Sequence, residues 1–272
     1  MTRVRFWKLE SIGNDFPLIH EDDFQGDLSA LAVAICDRRF GVGGDGLLTV
    51  SDGPRIKLRM FNPDGTEDFC GNGIRCAALH VRSQGWVGSS FEMTHVNRVV
   101  PVQIDKEKIR TTIGVASYKP ADVPLNSDER FDQPIFWENG REIFGSALTT
   151  GSTHVVIPVE ELPKDEEFFD LGPKIEHFEL YPARTSIIWT QVAAPGRLSI
   201  RIWERGVGET LGCGTGSSAA AADYLRRGYQ GTTVQVDNCG GTVFIEMDRW
   251  DAPITVTGDA KAVFEGSFMF KG

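Results

Sequence analysis

Two cysteines stand out for their neighbours. Phe69-Cys70-Gly71-Asn72-Gly73-Ile74-Arg75-Cys76-Ala77-Ala78-Leu79 resembles Gly212-Cys213-Gly214-Thr215-Gly216-Ser217-Ser218-Ala219-Ala220-Ala221, and Cys213 follows Cys70 by 143 residues. Each Cys-Gly-x-Gly run opens an Ala-rich stretch that reads as a helix. A helix N-terminus presents unpaired backbone N–H groups and the positive end of the helix dipole. Glycines there let an anion approach the backbone closely. A cysteine at the same place is favoured as thiolate, its pKa drawn from about 8.5 toward neutrality. One such turn joins a carboxylate cradle to an ionisable thiol, and two could hold a carboxylate with a sulfur on each face of the adjacent carbon. That is what stereoinversion at an α-carbon requires: a base on one face, an acid on the other, and fixed dipoles for the charge that develops. An isolated Cys-Gly-x-Gly is more simply a helix entry with an inert buried thiol. The repetition argues for a working pair.

The elements that must position these turns are legible as short strands between Gly, Pro, Asn and Asp punctuation. Strand-like runs cover 56–61, 99–104, 109–115, 186–192, 198–203, 233–236 and 242–247. Four helical segments are expected. They are 28–37, 72–84, 163–176 (broken at Asp170-Leu171-Gly172-Pro173) and 215–227, the last ending on Arg226-Arg227-Gly228, a cationic final turn and a C-cap glycine. The repeat predicts two similar halves, each carrying one turn. The expected domains are 1–117 with Cys70 and 118–261 with Cys213. The turn-rich stretch 116–126 lies at their join, and the tail 262–272 is expected to return to the first domain.

Bulk properties set limits. The chain has 272 residues, enough for two domains with their own cores. A net charge of −10 disfavours nucleic acid and anionic membrane as partners. No apolar run is long enough to span a bilayer, and the first residues lack a signal-peptide pattern, so the expected location is cytoplasmic. Five cysteines in an odd, sparse set do not suggest a disulfide framework. Cys36 and Cys76 read as core residues, and Cys239 is assigned no role. The scattered histidines propose no metal site.

At these residues the sequence resembles the diaminopimelate epimerase family, within the two-cysteine, cofactor-independent racemases and epimerases. Further motifs carry the resemblance along nearly the whole chain: Lys8-Leu9-Glu10-Ser11-Ile12-Gly13-Asn14-Asp15-Phe16, Gly41-Val42-Gly43-Gly44-Asp45-Gly46, Asn62-Pro63-Asp64-Gly65 and Glu204-Arg205-Gly206-Val207-Gly208-Glu209-Thr210. The resemblance implies an α/β (α+β) fold of two pseudo-symmetric domains, each a curled, mostly antiparallel sheet around a central helix, with the site between them. It implies an isomerase without cofactor or metal, a homodimer acting on a small amino acid in lysine and peptidoglycan precursor synthesis. Cys70 and Cys213 would be the acid–base pair, with His154 and Glu204 helping to manage protons. Gly71, Asn72, Gly214 and Thr215 would hold the reacting carboxylate. Asn14, Asn62, Glu204 and Arg205 would contact the amino and distal groups. For His154 the alternative is a hydrogen-bonded strand-end histidine, and for Arg205 a structural ion pair.

Two positions depart from the family pattern. Ser152 and Ser186 stand where asparagines usually contact the distal end of the substrate. Serine lacks an amide's two N–H donors. Three readings follow: interconversion of LL- and meso-diaminopimelate, the same chemistry on another amino acid, or a relative of the fold that binds a small ligand or isomerises something other than an amino acid. The paired thiols argue against the third, since binding alone does not need them.

Overall fold

The computed structural model describes residues 1–272. The chain divides into two compact units, Met1–Thr112 with Thr257–Gly272, and Ile113–Val256. In chain order the first holds β1 (Thr2–Ser11), β2 (Asn14–His20), α1 (Leu28–Cys36), β3 (Leu47–Ser51), β4 (Ile56–Phe61), α2 (Gly71–Ser83), β5 (Ser90–His95), β6 (Arg98–Asp105) and β7 (Lys108–Gly114), whose last residues cross the division. The second holds β8 (Gln133–Glu138), β9 (Arg141–Thr149), β10 (Thr153–Pro158), α3 (Asp165–Glu176), β11 (Ser186–Ala194), β12 (Arg197–Glu204), β13 (Gly208–Thr210), α4 (Gly214–Arg226), β14 (Thr233–Asn238) and β15 (Gly241–Glu246). Strand β16 (Ile254–Asp259) carries the chain back, and β17 (Lys261–Phe270) completes the first unit.

One pairing scheme runs through both units. In the first, β1 and β2 are antiparallel, β2 and β3 parallel, β3 and β4 antiparallel, β4 and β5 parallel, β5 and β6 antiparallel. In the second, β9, β10, β11, β12, β14 and β15 repeat that sequence of senses pair by pair. The 143-residue offset of the cysteines carries Gly71–Ser83 onto Gly214–Arg226 and Ser90–His95 onto Thr233–Asn238. The fold is thus an α/β (α+β) arrangement of two pseudo-symmetric units, each a mostly antiparallel sheet curled around one helix. β17 adds to the first sheet by pairing antiparallel with β1.

The central helices explain the small residues in the sequence. Strands β1, β2, β3, β4 and β17 pack on α2, and β9, β10, β11, β12, β14 and β15 pack on α4. Ten of the 13 residues of α2 and 11 of the 13 of α4 are buried. A helix enclosed on all sides cannot be amphipathic in the usual way. Ala219, Ala220, Ala221 and Ala222 are fully buried, and their methyl groups leave room for close strands. The core of the first unit is built from Leu9, Phe16, Leu48, Leu58, Ile74, Cys76, Val81 and Met93.

Helix α1 begins on Asp27, whose carboxylate accepts from the Ser29 and Ala30 amides. Helix α3 differs from expectation: it is continuous from Asp165 to Glu176 with Pro173 inside it. Proline removes one helical hydrogen bond, to the Phe169 carbonyl four residues back. The helix survives because its packing is strong and the proline lies in its last turn. Phe168, Leu171 and Ile175 are buried, and Gly172 lies so close on the Trp203 ring that a Cβ there would meet it at 2.5 Å. No helix is long and apolar enough to cross a membrane. All five cysteines are free, and Cys36 and Cys76 are buried with their thiol pKa pushed far up by burial.

Three histidines are held neutral by burial. The pKa of His80 is lowered to about 4 by burial and by His20 and Arg5, and that of His95 to about 4 by burial. His154 falls to about 3, by burial and then by Arg205. An unfolded histidine titrates near 6.5. Below that pH the unfolded chain takes up protons that the native chain refuses, so the stabilisation is complete above about pH 6.5 and is lost as pH falls toward 4 and then 3. Each group adds a slope of up to about 1.4 kcal/mol per pH unit in that window. Urea unfolding followed at pH 7.5 and pH 5 should show a clearly lower midpoint at pH 5; equal midpoints would contradict this account.

Candidate active site

Cys70 and Cys213 are the N-cap residues of α2 and α4. Their backbones are nearly superimposable in torsion, φ −135° and ψ 109° for Cys70, φ −137° and ψ 117° for Cys213. In each, the sulfur folds back over the first turn. The Gly73 amide donates to Cys70 Sγ at 3.3 Å, and the Gly216 amide to Cys213 Sγ at 3.4 Å. This is the capping geometry of serine or aspartate with sulfur in place of oxygen. The first helical bonds are Ile74 N–H to Cys70 O and Ser217 N–H to Cys213 O. The amides of Gly71, Asn72, Gly214 and Thr215 therefore lie ahead of the helical ladder, in the anion-binding position. The second glycine of each motif is required by space. A Cβ on Gly73 would meet Leu48 Cδ2 at 2.9 Å and Cys70 Sγ at 3.4 Å; one on Gly216 would meet Ile188 Cδ1 at 2.7 Å.

In the first unit a polar chain runs back from the α2 turn. The Asn72 side-chain amide donates to Asn14 Oδ1, and Asn14 Nδ2 donates to Asp45 Oδ2 at 3.0 Å. The Asn72 carbonyl oxygen accepts from Arg75, whose Nε donates to Ser11 Oγ at 3.0 Å. Arg75 is completely buried, an unusual place for a guanidinium on a helix. Asn14, Asn72, Gly71 and Cys70 are thus one connected group. Asn62 stands apart from them, with its side-chain amide bonded to Thr66 Oγ1 at 3.0 Å inside its own turn.

In the second unit Thr215 is the hub. Its hydroxyl lies 3.3 Å from Cys213 Sγ and 3.5 Å from Ser152 Oγ, and its carbonyl accepts from Thr150 Oγ1 at 2.8 Å. Ser152 Oγ is 3.2 Å from His154 Nε2. A single relay therefore links His154, Ser152, Thr215 and Cys213. His154 is 1% exposed, and its Nδ1 has no hydrogen-bond partner. At neutral pH its ring is uncharged.

Ser186 accepts the Arg205 amide at 3.1 Å, while the Arg205 guanidinium donates to Ala183 O at 3.2 Å. Glu204 accepts from the Thr210 hydroxyl at 2.5 Å. The Glu204-Arg205-Gly206-Val207 turn closes through Val207 N–H to Glu204 O, with Gly206 at φ +76°, a conformation that favours glycine.

Sequence reading missed the residues that hold these pieces. The Cys70 amide donates to His95 Nε2 at 3.0 Å, and the Cys213 amide to Asn238 Oδ1 at 3.3 Å. Both acceptors lie 25 residues beyond their cysteine, so extending the repeat past the helices would have paired them. Glu176, 3% exposed, accepts from Trp203 Nε1 at 2.8 Å, the Gly206 amide at 2.9 Å and Arg184 at 3.2 Å. It pins the 204–207 turn from beneath, and nothing local in the sequence marks it. No group of three or more His, Cys, Asp or Glu side chains converges as a metal site would require.

Comparison with known proteins agrees with the resemblance in the motifs. The family model for diaminopimelate epimerase matches residues 6–119 and 146–263. A protein named diaminopimelate epimerase from Moorella thermoacetica is 35% identical, the match covering 97% of this chain and 99% of that one. One of the same name from Methanothrix thermoacetophila is 37% identical, over 91% and 90%. Among solved structures, a hydroxyproline epimerase from Agrobacterium vitis shares the fold with a TM-score of 0.74 at 13% identity, covering 98% of this chain and 91% of that one. A PhzF-family phenazine biosynthesis protein from Bacillus anthracis does so with a TM-score of 0.68 at 17% identity, covering 99% and 100%. With a family model spanning most of its length and relatives above 30% identity from end to end, the chain belongs to the diaminopimelate epimerase family.

Proposed function

We propose that this chain is a diaminopimelate epimerase, an isomerase that interconverts the LL and meso forms of 2,6-diaminopimelate by proton transfer at one α-carbon. The observation that carries the reading is the matched pair of cysteine N-caps, each thiol bonded to its own helix N-terminus. In the proposed reaction one cysteine acts as thiolate and takes the α-proton, becoming a thiol. The other, starting as thiol, gives its proton to the opposite face and becomes the thiolate. Atoms and charge balance, and the two roles exchange with the handedness of the substrate. The amides of Gly71, Asn72, Gly214 and Thr215 would receive the α-carboxylate as negative charge moves into it.

Supporting roles follow from the contacts. The uncharged His154 would orient Ser152 and Thr215 beside Cys213. Asn14, Asn62, Glu204 and Arg205 would bind the amino and distal groups, Arg205 offering a planar clamp for a carboxylate. Ser152 and Ser186 occupy the positions of the family's usual asparagines. Both hydroxyls already bond the protein's own groups, so recognition of the distal end would pass to Glu204 and Arg205. The names of the relatives favour diaminopimelate over another amino acid.

Purified protein given LL-diaminopimelate in deuterated water should form the meso isomer with solvent deuterium at the inverted carbon, read by proton NMR without added cofactor. Cys70→Ser and Cys213→Ser should each lower kcat on the order of 10²–10⁴-fold. Full activity in either would defeat the two-cysteine mechanism, and turnover only of a different amino acid would reassign the substrate. Ser186→Ala removes the acceptor of the Arg205 amide and should raise KM by roughly 5–30-fold, the effect of about 1–2 kcal/mol for an unpaired group. An unchanged KM would show that Ser186 does not hold the clamp.

A further inference from the structure

The backbone amide of Cys70 is held by a titratable side chain, and that of Cys213 is not. His95 closes strand β5 and is fully buried. Its Nε2 receives the Cys70 N–H at 3.0 Å, and its Nδ1 lies 3.1 Å from the carbonyl oxygen of Leu58, its register partner on β4. A backbone N–H can only donate and a carbonyl can only accept. The ring must therefore be neutral, with its single proton on Nδ1 and a bare lone pair on Nε2. Phe69, the residue before Cys70, stacks on the same ring at 5.0 Å with 25° between planes, fixing its orientation.

Asn238 does the same work in the other half. It closes β14 as His95 closes β5. Its Oδ1 accepts from the Cys213 amide at 3.3 Å and the Ser217 hydroxyl at 3.2 Å, while its Nδ2 donates to Val236 O at 3.3 Å. An N-cap residue sits outside the helical ladder, so its own N–H has no helical partner. An external acceptor for that N–H is what holds φ and ψ of the cap, and the cap torsion sets where the sulfur points. The near-identical torsions of the two cysteines, reached with chemically different acceptors, show the position under common geometric demand.

We propose that His95 is the positioning residue of Cys70, acting as the neutral Nδ1–H tautomer to anchor the cysteine amide and aim its sulfur at the helix end, with Asn238 as its counterpart for Cys213. The bearing on catalysis rests on the acid–base role proposed for Cys70, but the anchor itself does not. Burial, which lowers the His95 pKa to about 4, keeps the lone pair available at neutral pH. A ring protonated on both nitrogens would instead turn an N–H toward the Cys70 N–H.

Three measurements test this, two of them independent of substrate. Nitrogen-15 NMR of histidine-labelled protein at pH 7.5 should show the Nδ1–H tautomer for His95; the Nε2–H tautomer would overturn the proposal outright. Alkylation mapped by mass spectrometry compares the two thiols within one molecule. In His95→Leu the pH of half-maximal Cys70 reactivity should rise by about one unit while that of Cys213 stays fixed. Asn238→Ala should do the reverse. His95→Gln, whose Oε1 can take the place of Nε2, should restore Cys70 reactivity toward the native profile. With diaminopimelate, His95→Leu should lower kcat on the order of tenfold or more at little change in KM, and His95→Gln should recover most of it. Unchanged Cys70 reactivity in a folded His95→Leu protein, or failure of His95→Gln to recover it, would reduce His95 to a packing residue. If the thiol readouts hold while turnover fails, the function reading is at fault and the anchor stands.

Discussion

Everything around the two cysteines depends on a sulfur standing in for oxygen at the cap of a buried helix. A thiol is a poor hydrogen-bond acceptor, and a thiolate a good one. The bond from the third residue's amide to Sγ therefore favours the ionised form, reinforcing the helix dipole. Burying the helix makes that field stronger, because solvent no longer screens it. The alanines, serines and glycines of α2 and α4 have a single physical purpose: they let strands close around a helix whose end must stay polar. The cost appears in isolated polar residues inside the wrap, such as Arg75, which is held by Ser11 and Asn72.

The halves are alike in scaffold and unlike in chemistry. The same succession of parallel and antiparallel pairings, at the same spacing, delivers each cysteine to the same torsion angles. Around Cys213 lies a relay of hydroxyls ending on a neutral histidine; around Cys70 lies a chain of amides anchored on Asp45 and Arg75. Duplicated frames keep the torsion of each cap while the side chains around it are free to differ.

Much of this was legible in the chain. The two turns, the helices they open, the seven strand-like runs and the pseudo-symmetric fold could all be read from local pattern and repetition. The continuous α3 could not, because Gly172-Pro173 signals a break while long-range packing on Trp203 and Trp189 overrides it. Arg75 also misleads, since a charged residue on a helix normally faces water and only the fold reveals its partners. Glu176 reaches the 204–207 turn across 30 residues, and no spacing rule encodes that contact. His95 and Asn238 form an intermediate case. The repeat held the information, but the residue types differ, so similarity of letters hid what similarity of position would have shown.

The interrupted first unit bears on how the protein is made. The segment Ile113–Val256 is continuous and leaves the ribosome as a whole, able to fold while synthesis proceeds. The first unit must wait, although its residues emerge earlier. β1 pairs early with β2 but lacks its second antiparallel partner until β17, which follows the whole second unit, is available. Until then β1 presents an open edge, and α2 lacks one of the strands that wrap it. The unit carrying Cys70 is therefore begun before the other and completed after it, and a chain lacking Lys261–Phe270 would leave it unsealed.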